Sequence, residues 1–436
     1  MSGPWLILYW LLAALAILQA ALIALQTWEH RRYARRRLSE LRLCRASGRA
    51  LVVVPCRGHD IGLEDNLSTL LEQDYDDYLV RFVVESLDDP ACEAIRRVMR
   101  EHSRVRCELI VAGGAEQCGQ KVHNLLAATS ELPPEVRYLA FVDSDARPQR
   151  HWLRALLGQL ELGDVGAATG YRWFVPVRPS LANHLVYSIN CNSAIMMAAK
   201  VHHFVWGGSW AMRREVFESI GLRQAWQGTL SDDLVVGRLL KRAGHRVVFE
   251  PACMVASPVN LRFGPMLRFI RRQYVIARWY VPRWWAFALA AVLSTNLAMF
   301  GCLAGLASAL ATGSPPVWGA AAVCAALYGV TVYRGLLRRD LALCYFPSQF
   351  VALGKAARFD TWASPLANLV HAIVLVSSAV GRSVTWRGIS YRLLSGGKVR
   401  LTRRREESSY ENERAAEETL KALTLPGPLI RYRKAG

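Results

Sequence analysis

Two carboxylates, Asp143 and Asp145, close a short apolar run at residues 139–142 and are followed by Arg147 and Pro148. The run reads as a buried strand that the proline ends. Side chains two apart on a strand share a face. Both acids can therefore reach one hard divalent cation, Mg2+ or Mn2+, or the diphosphate that such a cation holds. A lone pair of this kind is more simply a solvated turn, so the rest of the chain has to supply the context. Asp88 and Asp89 stand before Pro90 at the end of another apolar run. There they can cap the next helix or face the crevice at the carboxyl ends of the strands. Asp232 and Asp233 follow Ser231. Ser231 or Asp232 is a natural N-cap, which leaves Asp233 free to act as a general base in a cleft.

Cations and glycines accompany these acids. Lys121 follows Gly119 and Gln120 at the start of a helical pattern, where an ammonium and free backbone amides favour an anion. Gly207 and Gly208 allow close approach of backbone to a ligand, and Trp210 can stack on a sugar ring. Arg268, Arg271 and Arg272 lie on adjoining parts of one helix. They suit a departing diphosphate or lipid headgroups.

The elements that position these residues alternate. Strands are expected at 50–54, 79–84, 107–111, 139–142, 165–169 and 246–250. Helices are expected at 63–73, 91–101, 121–129, 152–160, 213–220 and 232–243. Such alternation predicts a mostly parallel sheet with helices on both faces.

Around this block the chain is apolar and basic. Of 436 residues 52% are hydrophobic and 20% charged, with a net charge of +19. The basic runs adjoin apolar segments, which fits a cytoplasmic membrane face better than nucleic acid. Residues 4–28 suit an uncleaved membrane helix, because the charge follows the segment rather than preceding it. Residues 263–283 form a basic amphipathic stretch. Residues 284–382 hold three or four apolar segments, the doubtful one being 341–357. Positive charge after the last segment favours five crossings and a cytoplasmic tail over 383–436, with a short helix after 411. The ten cysteines show no paired spacing, which argues against a zinc site or a disulfide framework.

Taken in order, these features resemble the family 2-type glycosyltransferases, most closely the ceramide glucosyltransferase-like branch. The resemblance runs over about 48–285, through Pro55-Cys-Arg-Gly, Asp88-Asp-Pro-Ala, Gly119-Gln-Lys-Val-His-Asn, Asp143-Ser-Asp, Ser231-Asp-Asp and the arginine helix. It implies a GT-A fold over 48–262, a Rossmann-like mixed sheet with helices on both faces, and membrane helices at both ends. It implies inverting transfer of a hexose, glucose first, from a UDP-sugar to the hydroxyl of ceramide, diacylglycerol or a hopanoid, with Mg2+ or Mn2+. Pro55, Asp88, Asp89, Lys121, Asp143 and Asp145 would bind the nucleotide-sugar, and Asp143 and Asp145 the metal. Asp233 would be the base, with Arg268 and Arg271 on the leaving diphosphate. Gly207, Gly208, Trp210 and Asp232 would shape the acceptor and sugar pocket. The family's closing motif carries Trp where this chain has Arg272. The implied setting is a bacterial inner membrane with the catalytic domain in the cytoplasm and no obligatory protein partner. A processive polysaccharide synthase and a non-catalytic membrane scaffold are the alternatives.

Overall fold

The computed structural model describes residues 3–40, 46–197, 204–313 and 317–404. The helix expected after 411 lies outside the described residues. After α1 (Gly3–Ser39), strands and helices alternate as β1 (Arg49–Pro55), α2 (Leu63–Leu70), β2 (Tyr78–Val84), α3 (Ala91–Glu101), β3 (Arg106–Val111), α4 (Gln120–Ala128) and β4 (Val136–Val142). Next come α5 (Trp152–Leu160), β5 (Val165–Thr169), β6 (Arg172–Pro176), α6 (Leu181–Ala194) and β7 (Ser209–Arg213). Short helices α7 (Arg214–Ser219) and α8 (Leu222–Trp226) lead to α9 (Asp232–Arg242), β8 (Arg246–Phe249) and β9 (Val255–Val259).

The main sheet has the order β3-β2-β1-β4-β7-β5-β8. Strand β7 runs antiparallel to both neighbours and the other pairs are parallel. Both faces of β1 are covered. Val52 and Val54 share a cluster with Leu67, Ile95 and Trp152, whereas Leu51 and Val53 belong with Val122, Leu125 and Trp210. A strand buried on both sides reads as a continuous apolar run, which is why β1, β2 and β4 were recognisable. The mixed α/β sheet with helices on both faces is thus observed. Differences are local: α2 ends three residues early, and β4 starts three residues early, at Val136. The antiparallel β7 was unexpected, because its entry through Gly207 and Gly208 looks like a loop.

Beyond the block lie α10 (Phe263–Tyr280), α11 (Pro282–Thr312), α12 (Val317–Tyr345) and α13 (Phe350–Ser377). Helices α1, α11, α12 and α13 are each long and apolar enough to cross a membrane. No separate segment exists at 341–357. Residues 341–345 finish α12, Pro347 interrupts the chain, and α13 then runs on through Pro365. The α13 helix lies along the catalytic block for its whole length. Leu353 and Ala357 share a cluster with Trp173 and Phe249, Asp360 accepts from Ser188 at 2.5 Å, and Ala367 and Val374 pack with α6 and α10. At its end the Ser377 carbonyl accepts from Arg271.

The chain after α13 is a three-stranded antiparallel sheet, β10 (Ser383–Trp386), β11 (Ile389–Leu393) and β12 (Val399–Arg404), where a plain basic tail was expected. It docks on the catalytic block. The Tyr391 hydroxyl accepts from the Gln120 amide at 3.1 Å, the Val399 amide donates to the Gly228 carbonyl at 2.9 Å, and Arg404 pairs with Glu85.

Candidate functional site

The carboxyl ends of β1 and β4, the start of α4, the loop before α9, one face of α10 and the tip of the C-terminal sheet enclose a cavity of about 470 Å³. That is within the range of small-molecule sites, roughly 300–1,000 Å³.

Its centre is a charged cluster. Asp143 leaves β4 directly, its amide bonded to the Gly208 carbonyl at 3.4 Å. Lys121, on the first turn of α4, places its ammonium 2.7 Å from Asp143 Oδ1, 3.2 Å from Asp232 Oδ2 and 3.0 Å from the Gly207 carbonyl. Asp233 accepts from the Gly207 amide at 2.9 Å through Oδ2, and from Ser231 Oγ at 2.6 Å and the Leu234 amide at 2.8 Å through Oδ1. Ser231 also caps α9. The two glycines are needed here by the packing itself. A Cβ on Gly207 would sit 2.9 Å from Lys121 Nζ, and one on Gly208 would sit 2.4 Å from the Trp206 ring and 2.7 Å from Asp143 Oδ2.

Burial makes these charges unequal. Desolvation pushes the Asp232 carboxyl up to about 7, with Asp233 and Asp143 adding to the rise and Lys121 opposing it. Desolvation pulls the Lys121 ammonium down, but Asp143, Asp232 and Asp233 outweigh it, and its pKa ends above the ordinary value. Desolvation also raises Asp145, against the attraction of Arg172, whose guanidinium lies 3.5 Å away. Asp145 Oδ1 is buried without a hydrogen-bond partner. A buried acceptor left open beside a second carboxylate suits a hard divalent cation, so Asp143 and Asp145 fit the metal expected of them. Among the described residues no group of three or more His, Cys, Asp or Glu side chains forms a metal cage. Any such cation would need oxygens from its substrate as well.

The expected site residues divide into two sets. Pro55, Lys121, Asp143, Asp145, Gly207, Asp232 and Asp233 line the cavity. Gly208 lies just behind the wall, packed on Trp206 and Asp143. Asp89 is set back, its carboxylate accepting from the Gly58 amide at 2.8 Å and the Ala91 amide at 2.9 Å. It therefore holds the turn into α3 and pins the loop after β1. Asp88 is exposed beside it. Trp210 is not a sugar platform. It is fully buried and stacked on Phe141 at 4.3 Å, because β7 turns it into the core. The tryptophan of this segment that lines the cavity is Trp206, with the Arg172 guanidinium 4.8 Å over its ring.

The arginine helix is also rephased. Phe269, Arg272, Gln273, Ile276 and Ala277 form the cavity face of α10. Arg268 lies outside the cavity wall and exposed, and Arg271 donates to the Ser377 and Val380 carbonyls at 3.3 and 2.8 Å. Arg272, which stands where Trp was expected, is the arginine of α10 that reaches the cavity. Its guanidinium is stacked between Phe269 and Trp386 at 5.3 and 5.2 Å. Desolvation, with Arg172 and Arg387 nearby, lowers it to about 10. The C-terminal sheet also contributes to the wall, through Trp386, Arg387, Ile389 and Tyr391.

A family model described as "Glycosyl transferase family 21" matches residues 8–399. Ceramide glucosyltransferase 3 of Caenorhabditis elegans is 23% identical over 224 residues, 48% of this chain and 47% of that protein. The match thus spans about half the length of this curated relative. Among solved structures, the mannosyltransferase PcManGT from Pyrobaculum calidifontis in complex with GDP-Man and Mn2+ is 20% identical over 81% of this chain and 99% of its own, with a TM-score of 0.46. GalNAc-T7 with UDP, GalNAc and Mn2+ is 10% identical over 51% and 48%, with a TM-score of 0.36. The family match runs from the first helix into the last strand and takes in all three aspartate motifs. The chain carries, among the described residues, four helices long and apolar enough to cross a membrane, and it belongs to glycosyl transferase family 21.

Proposed function

We propose that this glycosyltransferase moves a hexose, glucose in the simplest case, from a UDP-sugar to the hydroxyl of a lipid such as ceramide, diacylglycerol or a hopanoid, with inversion at the anomeric carbon. One observation carries this reading: Asp143, Asp145 and Asp233 meet in a single cavity, whose wall includes a helix leading directly into the membrane helices. A long-chain acceptor then needs to present only its headgroup.

In this scheme Asp143 and Asp145 would hold Mg2+ or Mn2+, which would supply charge neutralisation for the diphosphate. Lys121 keeps the two acidic loops together and gives one further positive charge. Asp233, oriented by three donors, takes the proton of the lipid hydroxyl as that oxygen bonds to the anomeric carbon and the bond to the diphosphate breaks. Arg272 and Arg172 face the charge that develops on the departing group. Stacking on Trp206, Phe269 and Trp386 keeps these guanidinium planes fixed.

Membranes containing the protein, incubated with labelled UDP-glucose, Mn2+ and a lipid extract, are expected to yield a labelled chloroform-soluble product. Label confined to an insoluble polymer sinks the single-transfer reading. No transfer from any nucleotide-sugar sinks the donor reading. The cytoplasmic face of a bacterial inner membrane is the setting we assign, from the basic residues beside α1 and α10.

A further inference from the structure

The turn that joins β10 to β11 breaks a local rule. Arg387 and Gly388 both have positive φ, 46° and 75°, while Trp386 pairs with Ile389. This is a two-residue type I′ hairpin, which favours Asn, Asp or Gly at its first central position. Arg387 is the one non-glycine residue with positive φ among the described residues. Backbone strain of this kind persists where the surroundings impose it, and it collects at ligand sites.

The strain has a consequence for the cavity. It aims the Arg387 guanidinium inward, onto the wall beside Arg272, Asp143 and Asp145. There Nη2 donates to Asp60 Oδ1 at 2.6 Å and Nη1 to the Arg57 carbonyl. Asp60 is in turn held by Ser144 Oγ at 2.6 Å, between the two carboxylates of β4. Arg387 therefore hooks the hairpin tip to the loop that carries Asp143 and Asp145. The base of the same sheet is fastened separately, through Val399 to Gly228 and through the Gly397 carbonyl to the Tyr280 hydroxyl at 2.5 Å. The tip can thus change partner while the sheet stays docked.

We propose that Arg387 exchanges Asp60 for the diphosphate of the nucleotide-sugar, so that the C-terminal hairpin completes the phosphate site and closes on the donor. This rests on the donor reading above. An arginine fork matches phosphate oxygens better than a single carboxylate oxygen and a carbonyl, and a diphosphate brings more negative charge than Asp60.

The test uses the full-length protein in detergent, with UDP and Mn2+ as the probe. Calorimetry gives the affinity, hydrogen exchange follows residues 383–393, and thermal melting follows the fold. UDP is expected to slow exchange across the hairpin. Arg387→Gly suits the left-handed backbone and removes the guanidinium, so it keeps the melting temperature and weakens UDP binding by about tenfold or more. Arg387→Lys restores part of that loss, and Arg387→Gln repeats the measurement should the glycine variant fold poorly. Asp60→Asn removes the resting partner and is expected to tighten UDP several-fold, a change that a structural role for Arg387 does not produce. Equal UDP affinity in wild type and Arg387→Gly, or in wild type and Asp60→Asn, overturns the exchange. A wild type that binds neither UDP nor GDP overturns the donor reading itself.

Discussion

Asp232 and Asp233 are neighbours in the chain with opposite circumstances. Both line the cavity, but Asp233 accepts three hydrogen bonds, whereas Asp232 is buried with its Oδ2 3.2 Å from the Lys121 ammonium. Asp233→Asn is expected to lower kcat by about 10²–10⁴, the span typical of a general base, with little change in melting temperature; near wild-type turnover would remove Asp233 from that role. Asp232 carries a pH signature instead. Its folded pKa of about 7 lies above the ordinary value, 3.8, so the folded state binds the proton more tightly. Its contribution to stability is therefore present below the unfolded pKa and is lost as pH rises toward 7, at up to about 1.4 kcal/mol per unit. Asp232→Asn should abolish this slope, so that the variant gains on the wild type between pH 5 and 8 in thermal melts. An unchanged slope would show that Asp232 does not titrate in this window. The aspartates were legible because acid–base and metal chemistry admits few residue types, and the loops that present them follow recognisable strands and a Ser N-cap.

At the scale of elements, helix phase and strand direction decide what sequence motifs leave open. The family resemblance assigned the diphosphate to Arg268 and Arg271, but α10 buries Met266, Ile270 and Val275 and turns Arg272 and Gln273 to the cavity. That phase is set by packing against α6, α13 and the C-terminal sheet, none of it local. Arg272→Gln is expected to cut kcat/KM by about tenfold to a hundredfold, the worth of a charged hydrogen bond, while Arg268→Gln stays within about twofold, as exposed substitutions usually do. The reverse order in a transfer assay would restore the original assignment. Strand β7 separates Trp206 from Trp210 in the same way. The Trp210→Ala change empties a core site stacked on Phe141 and should cost about 3–5 kcal/mol of stability. Trp206→Ala, on the cavity wall, should lower activity with a smaller loss of stability. Denaturant melts set beside initial rates separate the two effects, and full activity in folded Trp206→Ala would contradict its place on the cavity wall. The sequence could not distinguish the tryptophans, because an antiparallel strand inserted into a parallel sheet has no local signature.

At the scale of the whole molecule, the packing of the long helices suggests a membrane layout that counting apolar segments does not. Charge after the last segment led to an expectation of five crossings, whereas the structure keeps that charge beside the catalytic block by another route. The start of α1 meets α11 and α12 at their joined ends, where Tyr9 contacts Gly305 and Trp10 contacts Gly319. The far ends of α1 and α12 meet the catalytic block, where Arg37 pairs with Glu250 at 2.7 Å and Gln149 donates to the Tyr345 carbonyl at 2.6 Å. Helices α1, α11 and α12 thus lead away from the block, while α13 starts against the block and finishes against α10. Arg338 and Asp360, both almost fully buried, fasten α13 to α12 at 2.7 Å, and Gly335 lets the two backbones approach beside Thr361. A buried ion pair of this kind is costly unless complete. We therefore assign three crossings, with α13 lying along the membrane face of the catalytic block. Single cysteines placed at Ser395 and at Glu101 in a background without native cysteines should react with a membrane-impermeant maleimide from the same side of sealed vesicles. One at Gly313 should react from the opposite side. Labelling of Ser395 and Gly313 from one side would mean that α13 crosses after all, and that the C-terminal sheet reaches the cavity by a different path.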